Sequence, residues 1–80
     1  MLYGHTRKKI QKAIIDIRYL NYSYKELVKA GMEQLINTLK SMSINNGHLI
    51  IFNPNPDEFW EQKVSSTKVG KDIMIDVWKI

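Results

Sequence analysis

Between Ser23 and about Met42 the chain carries its clearest helical periodicity, so whatever else it forms must be arranged around one long helix. Ser23 and Glu26 have capping-box spacing, and Tyr22 and Leu27 stand where a hydrophobic staple would close the first turn. On a helical wheel, Leu27, Val28, Gly31, Met32, Leu35, Leu39 and Met42 share one half, and Glu26, Lys29, Glu33, Asn37 and Lys40 share the other. Gln34 and Thr38 lie one turn apart at the edge of the apolar half. A glycine inside a helix costs about 1 kcal/mol against alanine, so Gly31 points to close approach of a neighbouring backbone. Asn45-Asn46-Gly47 ends the helix with turn chemistry.

The flanking segments have a different period. Gln11 to Leu20 is rich in β-branched residues and reads as a strand. Ala13, Ile15, Ile17 and Tyr19 make one apolar face; Ile14, Asp16, Arg18 and Leu20 make a mixed one. Strand residues two apart project the same way, which sets Asp16 beside Arg18. His48 to Phe52 is almost wholly apolar and suits an interior strand covered on both faces. In Asn53-Pro54-Asn55-Pro56 each proline disfavours helix in the residue before it, so this is an extended loop. Phe59 to Val64 reads as a helical turn leading into a strand. Asp72 to Ile80 reads as a strand with Ile73, Ile75 and Val77 on one face. The order β-α-β-(turn)-β-β predicts an α/β (α+β) fold, a mixed sheet with one main helix packed on it.

At 80 residues the chain is one small domain with a modest core of its own. It has no cysteine, which excludes disulfides and thiolate chemistry. Its longest apolar run, Leu49 to Phe52, is far too short to span a membrane, and the charged N-terminus is not followed by the apolar stretch of a signal peptide. A soluble, cytoplasmic protein is the expectation. The net charge of +4 is local: Arg7, Lys8, Lys9 and Lys12 account for it, no acidic residue precedes Asp16, and eight bases balance eight acids from Ala13 onward. Residues 1–12 therefore form a basic arm or edge strand, either solvated or in contact with the phosphates of DNA or RNA.

Taken in order, Ile14-Ile15-Asp16-Ile17-Arg18-Tyr19-Leu20, Gly31-Met32-Glu33-Gln34-Leu35, Gly47-His48-Leu49-Ile50-Ile51-Phe52, Trp60-Glu61-Gln62-Lys63 and Val77-Trp78 form a pattern. It resembles the C-terminal PD-(D/E)XK nuclease-like domain attached to prokaryotic AAA ATPase-like proteins. The resemblance implies half of a restriction-endonuclease-like core over residues 13–80. It places the family's acidic-x-Lys pair on Asp16 and Arg18, with Asp16 as a ligand for Mg²⁺ or Mn²⁺, and the helix glutamine on Gln34. Two positions depart from it. Arginine stays protonated and cannot serve as the lysine does, and Thr38 stands where many relatives have a longer tyrosine. The family also needs a carboxylate upstream of Asp16, and the fifteen residues before it contain none. The resemblance therefore implies a degenerate nuclease-like domain without catalysis of its own.

The residues themselves leave plainer alternatives open. Asp16 and Arg18 could be a structural ion pair, and Gln34 a helix-edge residue bonded to the sheet. His5 and His48 show no nearby acidic partner, and Ser23 and Ser41 have no supporting base. Trp60 and Trp78, with Tyr19, Tyr22, Tyr24 and Phe59, are candidates for a stacking platform, a core or an interface. A half-domain sheet exposes surface that a symmetric dimer would cover, so the expectation is an oligomerising or binding module. Its rivals are a nucleic-acid-binding protein and a nuclease whose site is completed in trans.

Overall fold

A computed structural model describes residues 12–21 and 23–80. The basic residues Arg7, Lys8 and Lys9, His5 and the staple residue Tyr22 lie outside the described residues. The elements are β1 (Ala13–Tyr19), α1 (Tyr24–Met42), β2 (Asn46–Phe52), β3 (Lys63–Val69) and β4 (Ile73–Lys79). They form one helix on a four-stranded mixed sheet, an α+β fold. The sheet order is β1-β2-β4-β3; β1 and β4 both run parallel to β2, and β3 pairs antiparallel to β4. Among the described residues, no helix is long and apolar enough to cross a membrane.

The helix starts where its cap predicts. Ser23 has extended backbone geometry, and its hydroxyl accepts a hydrogen bond from the Glu26 N–H at 3.4 Å. This satisfies one of the donors that the first turn leaves without an intrahelical partner. At the other end Ser43 adopts a left-handed conformation, φ 56°. The Ile44 N–H then returns to the Leu39 carbonyl at 2.9 Å, closing the last turn as helix C-caps commonly do. Between the caps only Leu27, Gly31, Leu35 and Leu39 are buried. Val28 and Met32 are half-buried, and Met42 is exposed, because the sheet is narrower than the apolar half of the wheel.

Against this stripe pack Leu49 and Ile51 of β2 and Ile73, Ile75 and Val77 of β4, with Ile44 closing the end. Burial of each large aliphatic side chain contributes about 1.5–3 kcal/mol. Gly31 does mark a close approach: a Cβ there would lie 2.9 and 3.0 Å from the two methyl carbons of Leu49. Gly47 makes the reciprocal approach from the sheet, where a Cβ would meet Leu39 at 2.9 Å and Leu35 at 3.1 Å. Glycines on both sides of one interface draw helix and sheet together.

One expectation fails. β2 is an interior strand, but it is covered on one face only. Gly47, Leu49 and Ile51 are buried under α1; His48 and Ile50 on the reverse are half-buried and Phe52 is exposed. A single helix covers a single face, and among the described residues nothing lies on the other. The segment before β3 is also shorter than expected. It is a turn over 57–60, with Asp57 Oδ1 accepting from the Phe59 N–H at 2.9 Å, and the strand begins at Lys63.

Alanine at position 31 would recover about 1 kcal/mol of helix propensity, but forcing a methyl into a filled core costs about 1–3 kcal/mol. Leu49 has no exposed surface into which to retreat. Gly31→Ala is therefore expected to lower stability by about 1 kcal/mol in urea unfolding. An increase would show that helix and sheet are not in this contact.

Candidate functional site

The residues that the sequence pattern singles out, Asp16, Arg18 and Gln34, meet at the seam between β1 and α1. β1 presents its mixed face to the helix, so Ile14, Asp16, Arg18 and Leu20 are half-buried. Arg18 Nε and Nη2 both donate to Asp16 Oδ2, at 3.2 and 3.1 Å, and Nη2 also donates to Gln34 Oε1 at 2.6 Å. The guanidinium thus ties strand to helix. Its fixed fork allows two donors to converge on one carboxylate oxygen while reaching a third group, which a lysine ammonium would do less rigidly. Thr38 takes no part. Its hydroxyl donates to the Gln34 carbonyl at 3.0 Å, one turn back along the helix.

This donor set does not fit a divalent cation. Mg²⁺ and Mn²⁺ require several oxygen ligands, carboxylates foremost. The Asp16 carboxylate is already neutralised by Arg18, and among the described residues no group of three or more His, Asp or Glu side chains could hold a metal ion. Residues 1–11 contain no Asp or Glu. Lys12, at the start of the strand, is exposed and belongs to the basic segment whose other members lie outside the described residues.

Among the described residues, Tyr24 and Trp60 lie apart from Tyr19, Phe52 and Trp78, Phe59 stands exposed on its own, and no single platform forms. Tyr24 and Trp60 meet edge to face, 5.7 Å between ring centroids, beside the end of β4. The Lys79 ammonium lies 4.6 Å from the Trp60 ring centroid and 5.0 Å from that of Tyr24, a doubled cation–π contact. Burial pushes the Tyr24 phenol above its usual pKa. The Trp60 indole N–H is buried without a hydrogen-bond partner.

Tyr19, Phe52 and Trp78 stand on the uncovered face instead, with Tyr19 and Phe52 edge to face at 5.7 Å. That face carries a group the sequence reading missed. His48, Asp76 and Ser66 are register neighbours on β2, β4 and β3. Ser66 donates to Asp76 Oδ1 at 2.6 Å, His48 Nδ1 lies 3.6 Å from Asp76 Oδ2, and the Trp78 indole donates to His48 Nδ1 at 3.2 Å. His48 does have an acidic neighbour, contrary to expectation. Asp76 is 28 positions away, and only the parallel pairing of β2 with β4 brings the two together.

Comparison with protein-family models, curated proteins and solved structures finds no match for the chain.

Two stability outcomes follow. The Arg18–Asp16 pair is part-buried and doubly hydrogen-bonded, so an Asp16→Ala/Arg18→Ala double-mutant cycle should give a coupling of about 1 kcal/mol that shrinks in high salt. A zero coupling at low salt would mean the pair holds nothing. Trp60→Phe keeps the ring contact and removes an unsatisfied donor, so it should change stability by less than about 1 kcal/mol, whereas Trp60→Ala should cost about 2–3 kcal/mol. Thermal unfolding of the two variants measures the difference.

Proposed function

We propose that this chain is a non-catalytic binding module built on a degenerate nuclease-like core. One observation carries the reading. The residues that the resemblance puts in the place of a nuclease's working groups, Asp16, Arg18 and Gln34, are bonded to one another, and among the described residues no carboxylate cluster is left for a metal. An arginine in the place of a catalytic lysine holds the acid in an ion pair and cannot accept a proton from water. What the domain retains is the scaffold, with a sheet whose uncovered face is richer in large apolar side chains than a solvated surface requires. Membership of the PD-(D/E)XK nuclease-like group attached to AAA ATPase-like proteins belongs to this proposal and rests on the order of the sequence motifs.

A second reading has its own observation. The acid-free basic segment containing Arg7, Lys8, Lys9 and Lys12 favours contact with the phosphates of DNA or RNA. With about four contacts such binding would be modest, and log affinity would fall with log salt at a slope near −3 to −4.

Purified protein incubated with DNA or RNA and Mg²⁺ or Mn²⁺ should produce no cleavage above that of Asp16→Ala. Cleavage that Asp16→Ala abolishes overturns the proposal. For the second reading, a mobility shift at low salt should disappear on neutralising Lys8 and Lys9, and no shift at low salt removes it.

A further inference from the structure

The register sorts the uncovered face into cross-strand rows. Ile17, Ile50, Trp78 and Val64 make one row across β1, β2, β4 and β3. Tyr19 and Phe52 begin the next, and Ile80 extends it where its N–H bonds the Ile51 carbonyl and its carbonyl accepts from Asn53. These rows are wholly apolar, and on the outermost strand the exposure is large: Ile15, Ile17 and Tyr19 are 60%, 57% and 66% exposed. The row on the other side is Ile15, His48, Asp76 and Ser66. Its polar groups are partly paired: Ser66 donates to Asp76, Trp78 donates to His48, and His48 Nδ1 lies 3.6 Å from the other Asp76 oxygen.

We infer that this face packs against the same face of a second copy, with a twofold axis running along the strands between β2 and β4. The inference rests on the binding-module reading and names its partner. An axis in that position exchanges β2 with β4 and β1 with β3 while keeping each row opposite itself. Ile50 then faces Trp78 of the second copy, Ile17 faces Val64, and Phe52 faces Ile80. In the polar row His48 faces Asp76 of the second copy, and the reverse pair forms on the other side of the axis. Apolar rows therefore face apolar rows and an imidazole faces a carboxylate, so the face is complementary to itself as an isologous contact demands. Nucleic acid is a poorer occupant, since Lys68 is the only Lys or Arg in these rows or the adjoining one of Ala13, Asn46 and Met74.

The area matches a reversible pair. Four strands about 4.8 Å apart and seven residues of about 3.3 Å each give a face of roughly 19 by 23 Å. That is on the order of 400 Å² of flat surface per copy, before side-chain relief, below the roughly 600–1,000 Å² per partner of stable interfaces and in the range of weak, transient ones. A dissociation constant in the micromolar range is the expectation.

Sedimentation equilibrium over a wide concentration range should show a monomer–dimer equilibrium, and Ile17→Glu should weaken it at least about tenfold. Position 17 is exposed, so the variant keeps its fold, which circular dichroism checks. The geometry is read separately. The chain has no cysteine, so Ile17→Cys and Val64→Cys can each be made as single-thiol proteins. Across sheets about 10 Å apart these two face each other, whereas like positions are displaced by about three strand spacings as well. A short bis-maleimide should join the mixed pair and leave each variant alone unjoined. A monomer at the highest concentration overturns the inference, as does cross-linking of Ile17→Cys to itself in preference to the mixture. So does a monomer that co-sediments with lipid vesicles, which would assign the face to a membrane surface. None of these results bears on the cleavage assay, so the two proposals fail independently.

Discussion

The contact between Gly31 of the helix and Leu49 of the central strand sets the geometry of everything around it. With no side chain at position 31, α1 lies low over β2, and Gly47 returns the favour beneath Leu35 and Leu39. At that height Gln34 can receive the Arg18 guanidinium at 2.6 Å. A helix held farther off would leave Arg18 and Asp16 facing water across a gap. The packing of apolar residues thus fixes the polar seam, and the seam in turn holds the outermost parallel strand against the helix.

The same contact explains an inversion in β1. Its purely apolar side, Ala13, Ile15, Ile17 and Tyr19, faces away from the helix, and its charged side faces inward. Ordinary patterning would put the apolar side under α1. Here the core is already filled by Leu49 and Ile51 and by the three buried aliphatics of β4. β1 lies at the helix margin, where an arginine can bury its stem and still reach two polar partners. The chain therefore keeps on its surface the very residues that most resemble a core.

Much of this was legible beforehand. Ser23, the spacing of Leu27, Gly31, Leu35 and Leu39, and the alternation of Ile73, Ile75 and Val77 announce the helix and the last strand, because local periodicity reports local geometry. The side-by-side placement of Asp16 and Arg18 follows from strand period alone. The number of covered faces was not legible. Leu49 to Phe52 reads as apolar throughout whether the second layer is another helix, another copy or nothing. The His48–Asp76–Ser66 line was equally hidden, since it exists only through the order of strands in the sheet. Register is a long-range property, and no spacing within one segment encodes it.

β3 carries a consequence of its own. It is the most polar strand, with lysines at 63 and 68, and it closes one side of the sheet. Charged side chains along an outer strand disfavour the addition of further strands. A protein with so much bare aliphatic surface runs a standing risk of open-ended fibrillar growth. Lysines on that flank oppose lateral extension of the sheet while leaving its broad face unguarded.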